Sequence, residues 1–167
     1  MKKICLIIIA TIIGFTGYSQ TESDNMMEGL IKMQKNDFEG AILEFTKAIE
    51  INPQFINAYL YRGGAKGELN DYRGAIADFT KAIVINPKSD DAYYLRGLAK
   101  SKFKHYKEAI LDFSKAILIN PKLKEAYFSR GFAKLKLGQK NSGCLDFSKA
   151  GELGDANAYQ YINDYCN

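Results

Sequence analysis

"DAYYLRGLAK", residues 91–100, sets an arginine and a glycine inside an otherwise apolar run. The same phrase stands 34 residues earlier as "NAYLYRGGAK" (57–66) and 34 residues later as "EAYFSRGFAK" (125–134). The spacing reaches well beyond the phrase. Pro53, Pro87 and Pro121 keep it, as do Tyr59, Tyr93 and Tyr127, while Phe45, Phe79, Phe113 and Phe147 carry it through four copies. So do Ala48, Ala82, Ala116 and Ala150. A register held this long defines four repeats, 22–55, 56–89, 90–123 and 124–157.

Each repeat contains two helical patterns. In the third, Ala92, Tyr93, Arg96, Gly97 and Lys100 share one face of a first helix, and Asp90 and Asp91 stand at its start, where the helix dipole favours negative charge. After "KHY" a second stripe runs through Ala109, Ile110, Phe113, Ala116 and Ile117. Asn120-Pro121 ends it, because the residue before proline is pushed out of the α region. Asp37 and Asp71 fall where they can cap the second helices of their repeats.

These motifs resemble the tetratricopeptide repeat, specifically an exported bacterial type. The family pattern of an aromatic, a leucine-glycine pair, an Ala-x-x-x-Phe step and a closing proline is matched here by Tyr93, Arg96-Gly97, Ala109 with Phe113, and Pro121. Arginine replaces the family leucine, and lysine (Lys32, Lys66, Lys100, Lys134) replaces its second aromatic. The resemblance implies an all-α fold, a right-handed superhelical solenoid of antiparallel helix hairpins. Four repeats occupy 20–157, and a C-terminal capping helix occupies 158–167.

A buried arginine needs a partner. The second helices carry an acid at one fixed position, Glu44, Asp78, Asp112 and Asp146, which predicts a structural ladder linking each repeat to the one before it: Glu44–Arg62, Asp78–Arg96 and Asp112–Arg130. In the first repeat Glu28 stands in place of the arginine, consistent with pairing between repeats. The alternative is a row of arginines for an anionic ligand. The lysine row is expected to serve the dipole at the ends of the first helices and to cover apolar surface with its stems.

Residues 1–19 read as an export signal, with Lys2 and Lys3 ahead of an apolar run from Ile4 to Phe15 and small residues around a cut after Ser19. The run is shorter than the ~20 residues a membrane span needs, so the rival reading, a retained anchor, is disfavoured. The mature chain is expected outside the cytoplasm, periplasmic or extracellular, without lipidation and without membrane insertion after cleavage. The net charge of +4 includes Lys2 and Lys3. The remaining 21 basic and 19 acidic residues are too evenly balanced to point to nucleic acid or an anionic membrane.

Export gives meaning to Cys144 and Cys166. A turn at Gly154-Asp155 lies midway between them, and an antiparallel hairpin would bring their sulfurs together as a disulfide; the alternative is two free thiols. The tail "ANAYQYINDYCN" resembles the start of a fifth repeat, with Tyr159, Ile162 and Cys166 on one face, as expected of a cap on an exposed core.

Catalysis is not expected. His105 is the lone histidine, no metal set can be assembled around it, and no glycine-rich phosphate loop follows a strand. Nothing calls for a cofactor. Family geometry implies instead a concave groove whose anchors are Leu60, Tyr94, Leu98, Phe128 and Phe132, growing more basic from Gln34 and Glu68 to Lys102 and Lys136. Met26 and Leu30 occupy positions where some family members clamp a chaperone's C-terminal carboxylate. The expected function is a non-enzymatic protein- or peptide-binding adaptor of the cell envelope. The alternative is a structural protein that self-associates into a homo-oligomer.

Overall fold

The computed structural model describes residues 21–166, so the segment read as an export signal lies outside the described residues. Within them the chain forms nine α-helices and no strand. They pair as hairpins: α1 (Glu22–Gln34) with α2 (Phe38–Ile51), α3 (Ile56–Glu68) with α4 (Tyr72–Ile85), α5 (Asp90–Lys102) with α6 (Tyr106–Ile119), and α7 (Lys124–Lys136) with α8 (Lys140–Glu152). The ninth, α9 (Ala156–Tyr165), packs on α8.

The boundaries follow from local chemistry. Asp37 and Asp71 accept hydrogen bonds from the backbone N–H groups of Gly40 and Gly74 at 2.9 Å, capping α2 and α4. Asn52, Asn86 and Asn120 leave the helical region at the ends of α2, α4 and α6, as the following prolines require. Their side chains then accept from the N–H two residues on, closing tight turns. Inside the hairpins, Asn36, Asn70, Lys104 and Gly138 all have positive φ. Lysine bears this backbone less readily than asparagine or glycine.

The core is a series of near-identical interfaces. The phenylalanine of each second helix lies on the glycine of its first helix, and Phe45, Phe113 and Phe147 are fully buried. A Cβ placed on Gly97 would meet the Phe113 ring at 2.6 Å, closer than any side chain tolerates. This contact outweighs the ~1 kcal/mol that glycine costs inside a helix. Alanines such as Ala75, Ala82, Ala92, Ala109 and Ala116 fill the remaining seams without exposure.

The ion-pair ladder exists, but it runs inside the repeats. Arg62, Arg96 and Arg130 reach Asp78, Asp112 and Asp146 with two N–H groups each, at 2.6–3.0 Å. The expected Glu44–Arg62, Asp78–Arg96 and Asp112–Arg130 pairings are therefore corrected. Each acid lies on the helix antiparallel to its own arginine, so the hairpin brings them face to face. The arginine still ties neighbouring repeats together: its third donor goes to Thr46, Thr80 or Ser114 of the preceding repeat, at 3.0–3.1 Å. Each guanidinium also lies over the tyrosine three residues earlier, 5.5–5.6 Å from the ring centre.

The lysine row is corrected as well. Lys32, Lys66, Lys100 and Lys134 contact Glu44, Asp78, Asp112 and Asp146 at 2.6–3.0 Å. In three repeats one buried carboxylate thus serves an arginine and a lysine together. In the first, where Glu28 replaces the arginine, the longer Glu44 takes Lys47 as its second partner at 2.9 Å. Hydrogen bonds from Lys47 and Lys32 hold the Glu44 carboxyl below the ordinary glutamate range, against the opposing effect of burial. Folding therefore favours the ionised form. That stabilisation is complete above the unfolded value of about 4.3 and is lost as pH falls through the lower folded value. Glu44→Gln is expected to be less stable than wild type at neutral pH, with the gap closing below about pH 4; urea unfolding across pH reads this directly.

Cys144 on α8 and Cys166 at the end of α9 are joined by a disulfide, with Cα atoms 5.8 Å apart. The capping helix starts at Ala156, two residues before the expected position, because Asp155 caps it by accepting from the Asn157 N–H. Ala158 is fully buried, and of the expected face Ile162 and Cys166 pack on the core while Tyr159 remains 58 % exposed. Tyr161, Ile162 and Cys166 pack beside Ala158 against Phe147 and Ala150.

Candidate functional site

First helices of successive repeats, α1 with α3, α3 with α5 and α5 with α7, touch one another, and second helices do so less. The first helices therefore line the inner, more tightly curved side. Two cavities open on it. One of about 310 Å³ lies between α3 and α5 over the floor made by Ala75 and Phe79. It exists because Gly64 and Gly67 carry no side chains, and a Cβ at either would meet nothing. The second, of about 400 Å³, lies between α5 and α7 and is closed at its far end by α9.

Leu98 and Lys102 border both cavities and form the ridge between them. Phe128 and Phe132 line the second. Three of the five expected anchors thus meet at one place. Leu60 and Tyr94 line neither cavity; Leu60 packs into the clusters around Ala82 and Phe79, and Tyr94 lies against the Phe113 ring at 6.0 Å. Burial pushes the Tyr94 phenol above its usual range. Both are half-buried, as Leu98, Phe128 and Phe132 are.

Tyr161 is the lining residue that counting by 34 misses. It meets Phe128 edge-on at 4.9 Å and Phe147 at 5.3 Å, and it borders the second cavity. α8 and the loop after it are each one residue shorter than their predecessors, which displaces the register by two. Aligning "ANAYQY" with "INAYLY" would have placed Tyr161 opposite Tyr61, which lies on Phe45 as Tyr161 does on Phe147.

The rim is basic at this end. Lys102 and Lys104 border the second cavity, and the Lys136 ammonium lies 5.0 Å over the Phe132 ring. Glu68 is the carboxylate on the border of the first cavity. An aromatic and aliphatic floor with cations above it suits an apolar side chain flanked by negative charge. No group of three or more His, Cys, Asp or Glu residues suited to a metal occurs among the described residues.

Family models described as "TPR repeat" match residues 29–70 and 67–102, and one described as "Tetratricopeptide repeat" matches 90–123. Together they span more than half of the chain. No curated protein matches. Among solved structures, MamA is 26% identical with a TM-score of 0.78, over 84% of this chain and 78% of that one. The Arabidopsis OM64 TPR domain is 29% identical with a TM-score of 0.67, over 69% and 95%. The first TPR of Spaghetti (RPAP3), bound to the HSP90 peptide SRMEEVD, is 22% identical with a TM-score of 0.69 over 72% and 95%, a likeness of fold alone. With its repeat register, its hairpins stacked as a solenoid and these matches, the chain belongs to the tetratricopeptide-repeat family.

Proposed function

We propose that the protein is a non-enzymatic adaptor of the cell envelope. It binds an extended peptide segment of a partner at the C-terminal half of its concave face. Proteins of this family generally mediate protein–protein interaction, and the family scaffold is generally non-enzymatic. The observation that carries the reading here is the second cavity, where Leu98, Phe128, Phe132 and Tyr161 lie beneath Lys102 and Lys104. Its best ligand is a segment with one aliphatic or aromatic side chain beside Asp or Glu. The Cys144–Cys166 disulfide supports placing the chain in an oxidising compartment.

Panning a displayed peptide library against the folded protein tests this. Enriched peptides are expected to share an apolar anchor next to acids, and Leu98→Asp or Lys102→Glu should weaken them on the order of tenfold or more. Enrichment equal to that on Leu98→Asp would contradict the reading. Self-association is a second reading, supported by Met27, which stands 60 % exposed on the first helix of the array. A concentration-independent monomer by light scattering would remove it.

A further inference from the structure

The outer side of the solenoid carries a pattern that peptide binding does not use. On the second helices, one position repeats as Leu43, Ala77, Leu111 and Leu145, the position four residues on as Lys47, Lys81, Lys115 and Lys149, and the position three further as Glu50, Val84, Leu118 and Glu152. Offsets of four and seven residues place all three positions on one helix face. All twelve side chains are exposed. In the middle of the array the face becomes apolar–lysine–apolar: Val84 is 69 %, Leu111 70 % and Leu118 72 % exposed.

The charges on this face are segregated. Lys47 and Lys149 are held by Glu44 and Glu152 of their own helices. Among the described residues Lys81 and Lys115 enter no ion pair, nor do Lys88 and Lys122 in the Asn-Pro-Lys turns that follow Val84 and Leu118. Among the outward residues of α4 and α6, Glu108 is the one acid, beside Lys107, and Arg73 is stacked over Phe103 at 5.5 Å. An overall charge close to balance therefore conceals a cationic ridge.

We propose that the outer face of α4 and α6 docks peripherally on an anionic lipid surface, with Val84, Leu111 and Leu118 entering the interface and Lys81, Lys115, Lys88 and Lys122 meeting the headgroups. The composition separates this from a protein partner. Protein interfaces enrich aromatic residues and arginine and are depleted in lysine, and their anchors fill pockets that exclude water. This ridge is aliphatic and lysine-rich, the composition of helices that lie in a membrane interface. A second copy placed back to back would set lysine against lysine. No described helix is long and apolar enough to cross a membrane, so the contact is with the surface.

Co-sedimentation with phosphatidylcholine vesicles, with or without phosphatidylglycerol, tests the proposal on residues 20–167, which carry all nine helices and the complete core. Binding to the anionic vesicles alone is expected, weakening as salt rises. Lys81→Gln/Lys115→Gln should reduce it on the order of tenfold or more, and Leu111→Ser/Leu118→Ser should reduce it comparably. Both pairs are exposed, so circular dichroism and the melting temperature should match wild type. Absence of vesicle binding, equal binding to neutral vesicles, or variants that bind like wild type would each overturn the proposal. So would a concentration-dependent dimer that Leu111→Ser/Leu118→Ser dissolves, which would assign the face to a second copy. An envelope protein captured through these leucines while vesicles fail would assign it to a protein. Peptide binding in the groove is unaffected by these variants, so the two readings fail separately.

Discussion

Asp112→Ala is expected to remove about 3–5 kcal/mol of stability, the cost of breaking a buried ion pair from one side. The carboxylate, 6 % exposed as a side chain, lies 2.7 Å from the Arg96 guanidinium and 2.6 Å from the Lys100 ammonium. Its loss strands two cations that face each other across the space it filled. Arg96 and Lys100 keep 17 % and 19 % of their side-chain exposure, so partial access to water favours the lower end of the range. At 2–4 °C per kcal/mol for a chain of this size, the melting temperature should fall by roughly 10 °C. Arg96→Met is expected to cost clearly less, because Lys100 still neutralises Asp112 and the methionine stem still covers Tyr93. The first repeat already lives without the arginine by pairing Glu44 with two lysines. Thermal melts of the two variants decide the matter. An Asp112→Ala protein within about 1 kcal/mol of wild type would mean that the ladder is solvated decoration.

Reduction of the Cys144–Cys166 bond is the second large effect. The two residues are 22 apart, and closing a loop of that length stabilises by ~3 kcal/mol in the chain-entropy account. The effect should be local. At 10 residues, α9 is too short to persist as an isolated helix and depends on α8 and on the aromatic contacts of Tyr161. Under reducing conditions, or in Cys144→Ser/Cys166→Ser, amide exchange should rise first across α9 while α3 to α6 keep their protection. Tyr161 would leave Phe128, opening the end of the second cavity, so peptide affinity should fall together with cap stability. Uniform exchange across the chain after reduction would show that the cap carries no separate stability.

The repeats, their two helices each, and the aspartate and Asn-Pro boundaries were all legible, because one residue type recurs wherever one physical requirement recurs. The direction of the ion pairs was not. Asp78 and Asp112 each lie 16 residues after one arginine and 18 before the next, so spacing alone admits both partners, and only the antiparallel packing of the hairpin decides. A better signal was present. Each arginine is followed four residues later by a lysine on the same face, and both reach one acid across the hairpin. Reading the lysines as dipole partners hid that triad. In the groove, Leu98, Phe128 and Phe132 were legible from family geometry. Tyr161 was obscured by a two-residue contraction across α8 and the loop after it, and Leu60 and Tyr94, though half-buried like the others, line neither cavity.

The central claim is that peptide binding is confined to the groove between α5, α7 and α9. Its most direct test is an NMR titration of the folded protein with a peptide selected on it. The account predicts shifts concentrated on Leu98, Lys102, Phe128, Phe132 and Tyr161, with Leu111, Leu118 and Lys115 on the outer face unmoved. Shifts centred on the outer face, or on Met27 and Ile31 at the start of the array, would contradict it.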